Sequence, residues 1–372
     1  MQKSTVAIIG GGLAGLCASI QLALAGVDVQ LFEKNRYPKH KVCGEYVSNE
    51  VLSYLHALGL DPFQEGAKDI NVFSFSDFKG RQTQVNLPLG GFGMSRFALD
   101  NYLYQRALQV GVKFTTTTIT DVTFNEDFTL TSQQNDKYRA VYVLAAYGKR
   151  SVLDKTLNRK FMRSHSEWMA VKAHYHYNFP EDEVALHNFM GGYCGLSQVE
   201  TGAVNACYLV STHVFKKYKD LISFRESVLY KNKNLKSFFS SAEMIFDKPL
   251  VISQVSFDQK RPVFNHMLML GDTAGLIHPL CGNGMAMAMH SACIAVSLIL
   301  DNLASSESRV LLEKQYAQQW QSTFGNRLRN ARILQKAMHS ERLTAAAIPF
   351  MRYNPWLLKK IIKNTHGTPF YA

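Results

Sequence analysis

Gly10-Gly11-Gly12-Leu13-Ala14-Gly15 sets three glycines at the spacing G-x-G-x-x-G, and Glu33 follows eighteen residues after the last of them. Each glycine answers a different physical need. Gly10 permits a tight turn, Gly12 lets bare backbone approach a pyrophosphate, and Gly15 lets a helix pack close on a sheet. A helix beginning at Leu13 would offer unpaired N–H groups and the positive end of its dipole to the phosphates. Glu33, with Lys34 beside it, is placed to accept hydrogen bonds from both ribose hydroxyls of a dinucleotide.

A second constellation lies far along the chain. Met267-Leu268-Met269-Leu270 runs into Gly271-Asp272, and the stretch that follows holds His278-Pro279, then Gly282-Asn283-Gly284-Met285. A carboxylate at a strand end suits a chain of sugar-like hydroxyls. The Pro-then-Gly turn presents backbone at a helix N-terminus, where the negative charge of a reduced flavin ring would be stabilised.

The elements that must position these groups follow from periodicity. Thr5–Gly10, Leu13–Ala25 and Val27–Phe32 read as strand, helix and strand, one βαβ unit. Asn71–Asp77 and Thr83–Leu89 alternate as half-buried strands do, and Phe97–Val110 is helical. Further strands are expected at Lys113–Thr118, Phe128–Ser132, Val141–Ala146, Met169–Tyr177, Ala185–Met190, Ala203–Val210, Leu250–Phe257 and His266–Leu270. His213–Tyr230 reads as helix, as does nearly everything after Met285. Gly90-Gly91-Phe92-Gly93 and Gly191-Gly192-Tyr193-Cys194-Gly195 lack the strand–turn–helix context of a second nucleotide site and read as loops or strand turns.

The expected fold is therefore α/β, a Rossmann-like nucleotide domain interleaved with an antiparallel β-sheet substrate domain and followed by C-terminal helices. The nucleotide domain takes residues 1–70, 96–165 and 250–304, the substrate domain 71–95 and 166–249, and the helical extension 305–372.

Composition narrows the class. The 372 residues are 47% hydrophobic and 19% charged, which excludes collagen-like and disordered chains. The six cysteines are scattered without a CxxC pair or zinc spacing, so a reducing compartment is expected and no metal site. The N-terminus runs directly into the first strand, with no room for a secretory leader. The longest apolar run, Ala292 to Leu300, is far short of the ~20 residues of a membrane span. A cytoplasmic protein, peripheral on the inner membrane face at most, is expected.

The motifs together resemble a known group. To the two glycine constellations are added Tyr37-Pro38-Lys39-His40-Lys41-Val42-Cys43-Gly44-Glu45 and Ser95-Arg96-Phe97-Ala98-Leu99-Asp100. Over residues 1–304 the chain resembles the flavoprotein hydroxylase superfamily of the para-hydroxybenzoate hydroxylase fold, in the branch with geranylgeranyl reductases and flavin-dependent halogenases. The resemblance implies FAD, with Ala14 and Glu33 on its ADP half and Ile119 near the adenine. It puts Cys43 and Gly44 in the loop beside the flavin, Arg96 in contact with the cofactor from the start of its helix, Asp272 on the ribityl chain, and Gly284 and Met285 against the isoalloxazine ring.

Departures from the group's patterns matter for function. Tyr147-Gly148 stands where the hydroxylases carry Asp-Gly, which puts direct reduction by NAD(P)H in question and leaves a separate electron donor as the alternative. The halogenase Trp-x-Trp-x-Ile-Pro signature is missing around Trp168, and of the reductases' Tyr-x-Trp-x-Phe-Pro motif only Tyr193 remains. His278 is the weak acid–base candidate. His174 and His176 share one strand face, Tyr175 and Tyr177 the other, and these residues and His187 read as sheet packing.

The leading expectation is a monooxygenase that hydroxylates an apolar or aromatic small molecule through a flavin C4a-hydroperoxide. The alternatives are reduction of carbon–carbon double bonds in an isoprenoid-like lipid and a non-catalytic lipid carrier. A carrier has no need of Glu33 and Asp272.

The net charge is +12, and nine lysines and arginines against one glutamate fall within residues 325–372. Trp356 with Lys359, Lys360 and Lys363 would suit an anionic membrane surface; nucleic acid is not expected, since no recognition motif accompanies the charge.

Overall fold

The computed structural model describes residues 3–163, 167–253, 255–276, 282–305, 308–338, 346 and 354–371. Strand β1 (Lys3–Ile9) leads through the glycine turn into α1 (Leu13–Leu24) and β2 (Val29–Glu33). Then come β3 (Tyr46–Ser48), the hairpin β4 (Lys68–Ser76) and β5 (Gln82–Gly93), and helix α2 (Arg96–Gln109). Four strands follow, β6 (Lys113–Thr116), β7 (Ile119–Asn125), β8 (Asp127–Ser132) and β9 (Lys137–Ala145).

The middle of the chain holds β10 (Trp168–His176), β11 (Glu183–Phe189), β12 (Gly192–Gln198) and β13 (Val204–Ser211); the last three form a meander and β10 lies on the far side of β13. Helix α3 (Lys233–Ser241) precedes β14 (Glu243–Met244), β15 (Leu250–Ser253), β16 (Val263–Phe264) and β17 (Met267–Met269). The chain then forms α4 (Gly284–Ser305), α5 (Arg309–Met338) and α6 (Pro355–Thr365).

Two sheets result. The first has the order β16-β17-β9-β1-β2-β6, parallel from β17 to β6, with β8 pairing β9 and β7. Its central strands β1 and β2 are buried almost throughout. The second has the order β14-β10-β13-β12-β11-β4-β5-β3, with β15 on β10. It is antiparallel except between β4 and β11, where Phe75 aligns with Leu186 in a parallel pair.

Three sequence expectations need correction. The two glycine clusters are strand rather than loop: Gly90, Gly91 and Gly93 end β5, and Gly192 and Gly195 lie in β12, mid-sheet between β11 and β13, with Gly191 (φ +84) in the turn before it. The expected helix His213–Tyr230 is broken into Thr212–Phe215 and Leu221–Ser227, because Asp220 accepts from the Ser223 N–H at 2.8 Å and starts a new helix. β15 pairs with β10, and β3 with β5, so the second sheet reaches beyond residues 71–95 and 166–249.

α4 is long and apolar enough by composition to cross a bilayer, a feature the Ala292–Leu300 run understated. Here its apolar side chains, among them Met289, Ala292, Val296 and Ile299, are buried in the main core against the nucleotide domain. α5 then braces β17: the Tyr316 hydroxyl donates to the Met269 carbonyl at 2.6 Å.

The residues after α6 return to the nucleotide domain. Glu50, fully buried, accepts from the Gly367 N–H, from Arg327 of α5 at 3.3 Å and from Asn283, just ahead of α4, at 3.3 Å. Burial raises the Glu50 carboxyl despite these partners.

Candidate functional site

One cavity of about 1150 Å³ runs from the glycine turn to the apolar face of the second sheet. At its polar end the fingerprint behaves as its spacing requires. Gly10 has φ +105, and a Cβ there would sit 2.5 Å from the Ala146 carbonyl oxygen. A Cβ on Gly15 would lie 2.0 Å from the Gly10 oxygen, so only glycine lets α1 close on β1. Gly12 differs: its imagined Cβ meets only Arg96 Nη2, at 3.9 Å, and points into open groove.

No side chain caps α1, and neither α1 nor α4 has an acidic residue in its first turn. Both helix N-termini border the cavity and leave their N–H groups and dipoles to an anionic ligand. Leu13, Ala14, Glu33 and Lys34 line the same end. Glu33 also locks the turn, its Oε2 accepting from the Gly11 N–H at 2.8 Å and its Oε1 from the Asn35 N–H at 2.9 Å.

Farther in, Cys43 and Gly44 form a wall held from the second sheet. Asn205 of β13 donates to both of their carbonyls, at 3.2 and 2.8 Å, and Cys43 Sγ lies 3.6 Å from Met285 Sδ. Next to this wall is a buried charge cluster. Glu45 accepts at Oε1 from Lys172 and from the Arg96 N–H, the latter at 2.7 Å, and at Oε2 it lies 2.7 Å from His174 Nε2. Burial would raise its carboxyl, but the hydrogen bond from His174 and the charge of Lys172 hold it below its ordinary value. Arg96 in turn makes a two-point bond to Asp100, at 2.7 and 2.8 Å, which fixes its guanidinium near Gly12.

Asp272 sits at the end of β17 and faces the cavity, between Gly271 (φ +54) and a buried lysine. Lys260 Nζ donates to the Asp272 carbonyl at 2.8 Å and the Lys149 carbonyl at 2.9 Å, and burial lowers its ammonium to about 8. Tyr147 also lines the cavity; its hydroxyl donates to Asp154 at 3.0 Å. Gly282, Gly284 and Met285 close this side.

Thus fourteen of the expected cofactor residues line one cavity, namely Gly10, Gly12, Leu13, Ala14, Glu33, Lys34, Cys43, Gly44, Arg96, Gly271, Asp272, Gly282, Gly284 and Met285. Gly15 acts behind it through packing. Ile119 starts β7, is buried in the core, and is not part of the lining. His278 lies outside the described residues. His174 faces the nucleotide domain, His176 is exposed, and His187 is buried with its Nδ1 2.8 Å from Ser76 Oγ. Burial lowers His187 to about 4, so it is neutral at ordinary pH.

The sequence reading missed Lys172, Asn205 and Lys260. The signal available was a polar residue at an inward position of an apolar strand, as in Met169–Tyr177 and Ala203–Val210.

The groove's shape and chemistry fit FAD: bare backbone and the α1 N-terminus for the pyrophosphate, Glu33 for the ribose, Asp272 for the ribityl chain and the α4 N-terminus for the flavin ring. A family model described as an FAD binding domain matches residues 3–322. Conditioned medium factor receptor 1 of Dictyostelium discoideum is 23% identical over 356 residues, 86% of this chain and 68% of that protein. Digeranylgeranylglycerophospholipid reductase of Methanosarcina mazei is 23% identical over 342 residues, 87% of this chain and 82% of that protein. Among solved structures, the flavin-dependent brominase Bmp2 superposes with a TM-score of 0.80 at 17% identity, covering 98% of this chain and 93% of that one.

Proposed function

The chain belongs to the FAD-binding-domain family and is an FAD-dependent oxidoreductase; from that premise we propose that it reduces carbon–carbon double bonds in an isoprenoid-like lipid. The observation that carries this reading is the far half of the cavity. Beyond Cys43 it is walled by Phe73, Phe75, Leu186, Leu209, Ile252 and Leu358, side chains from four strands and α6. Such a wall recognises length and apolarity. Each methylene removed from water contributes ~0.8 kcal/mol, so a chain of several isoprene units is held without a polar anchor.

FAD, when bound, supplies the hydride for such a reduction; the protein must exclude water, align the double bond and provide the proton that completes it. The apolar walls do the first two. Cys43 puts a protic Sγ at the junction of groove and chamber, and a proton from it to one alkene carbon balances the hydride added to the other. The Methanosarcina relative, named for reduction of a geranylgeranyl lipid, supports this reading.

Hydroxylation is the second reading, favoured by the aromatic wall of Phe73, Phe75 and Tyr193, which suits a flat substrate. The test is to reduce the FAD-loaded protein chemically without air and add a geranylgeranyl glycerophospholipid. Reoxidation of the flavin with a product richer by a hydrogen pair is the expected outcome. No anaerobic turnover, with oxygen incorporated on aeration, would replace the reductase by the hydroxylase.

A further inference from the structure

α6 has two faces of different chemistry. Leu358 and Ile362 are buried, and both wall the apolar chamber together with half-buried Ile361. At helical spacing Trp356, Lys359, Lys360 and Lys363 fall on the opposite side. All four are exposed, Trp356 at 60%. Among the described residues no carboxylate pairs with the three ammonium groups. A face that served only to meet water would gain nothing from a bare indole between lysines.

We infer that this face docks on an anionic lipid bilayer, so that the chamber takes its substrate from the membrane phase. The inference rests on the lipid-like substrate proposed above. Tryptophan partitions to the headgroup level, lysine stems lie along apolar surface with their charges at the phosphates, and anionic headgroups complement the three charges. Among the described residues, one helix, ~10 Å across with its side chains, separates the docked face from the chamber. A lipid leaving the bilayer beside α6 would therefore exchange one apolar environment for another with little exposed path between them.

The test uses the full chain loaded with FAD and sedimented with vesicles of phosphatidylcholine alone or mixed with phosphatidylglycerol. Binding is expected only to the mixed vesicles, with release at high salt. Lys359→Gln, Lys360→Gln and Lys363→Gln together should weaken it about a hundredfold, at ~1 kcal/mol per lysine. Trp356→Ala should weaken it by a further several-fold, with flavin content unchanged in every variant. Wild type that stays in the supernatant, or a triple variant that binds as well, would overturn the inference. So would a triple variant that converts a dimer to a monomer and leaves vesicle binding intact, which would assign the face to a second copy. No turnover is read, so vesicle binding without activity on geranylgeranyl lipids would count against the reductase alone.

Discussion

The ammonium of Lys172, in the second sheet, is bonded to the carboxylate of Glu45, in the loop that walls the nucleotide groove, and neither side chain is exposed. The pair crosses between domains at the point where cofactor and substrate would meet. It couples the position of the Cys43–Gly44 wall to the sheet that carries the chamber.

Removing one partner should therefore be costly. Lys172→Met leaves the Glu45 carboxylate buried without its ammonium partner and should destabilise by about 3–5 kcal/mol. The double change Lys172→Met with Glu45→Gln should recover part of that loss. Urea unfolding of the three proteins checks both statements. The pH dependence has a definite sign. Glu45 is held below its ordinary value, so its contribution is complete above the usual carboxylate range and is lost as pH falls below it. Glu45→Gln should flatten the acid limb of stability.

Gly12 and Gly15 should separate binding from folding. Gly15→Ala drives a methyl into the Gly10 carbonyl and should destabilise by ~1–3 kcal/mol, seen as a lower Tm of the apoprotein. Gly12→Ala meets only Arg96 Nη2, in ordinary contact at 3.9 Å, so the apoprotein Tm should hold while FAD titration shows weaker binding. Equal thermal losses in the two variants would contradict this division.

Asp272→Ala should weaken FAD binding about 10–100-fold, the loss of hydrogen bonds to a charged acceptor. Flavin absorbance after gel filtration reads this directly. A variant that keeps full occupancy would remove Asp272 from the ribityl chain.

Lys260 offers a test at the other end of the pH scale. Its folded value of about 8 lies below the unfolded one, so the folded state gains stability as pH rises from about 8 toward ~10.4. Other groups titrate in that window, and the difference between wild type and Lys260→Met isolates the lysine. That difference should change by a few kcal/mol across the window in chemical denaturation. The same variant orphans the carbonyls of Lys149 and Asp272 and should loosen FAD.

What was legible in the sequence was what local chemistry dictates. The reasons for Gly10, Gly12 and Gly15 lie within one turn, and Glu33 is fixed by the strand that follows, so the phosphate end could be read residue by residue. β12 could not be read that way. Gly192, Cys194 and Gly195 carry turn composition, and only pairing on both sides makes them a strand. Lys172 and Asn205 were illegible for a related reason. Their partners lie 127 and 161 residues earlier, and nothing in an apolar strand shows which inward polar residue will find one. The chamber wall from α6 was hidden too, since Leu358 and Ile362 read equally well as packing on any apolar surface.

Glu50 also bears on the order of events during synthesis. Its partners Asn283, Arg327 and Gly367 are translated 233, 277 and 317 residues after it. While the ribosome is still making the middle of the chain, the emerging protein displays the glycine turn and Glu33 but has neither Asp272 nor Gly284 and Met285. The flavin is thus left to find a chain made at least through Met285, and its capture follows synthesis of the second glycine constellation.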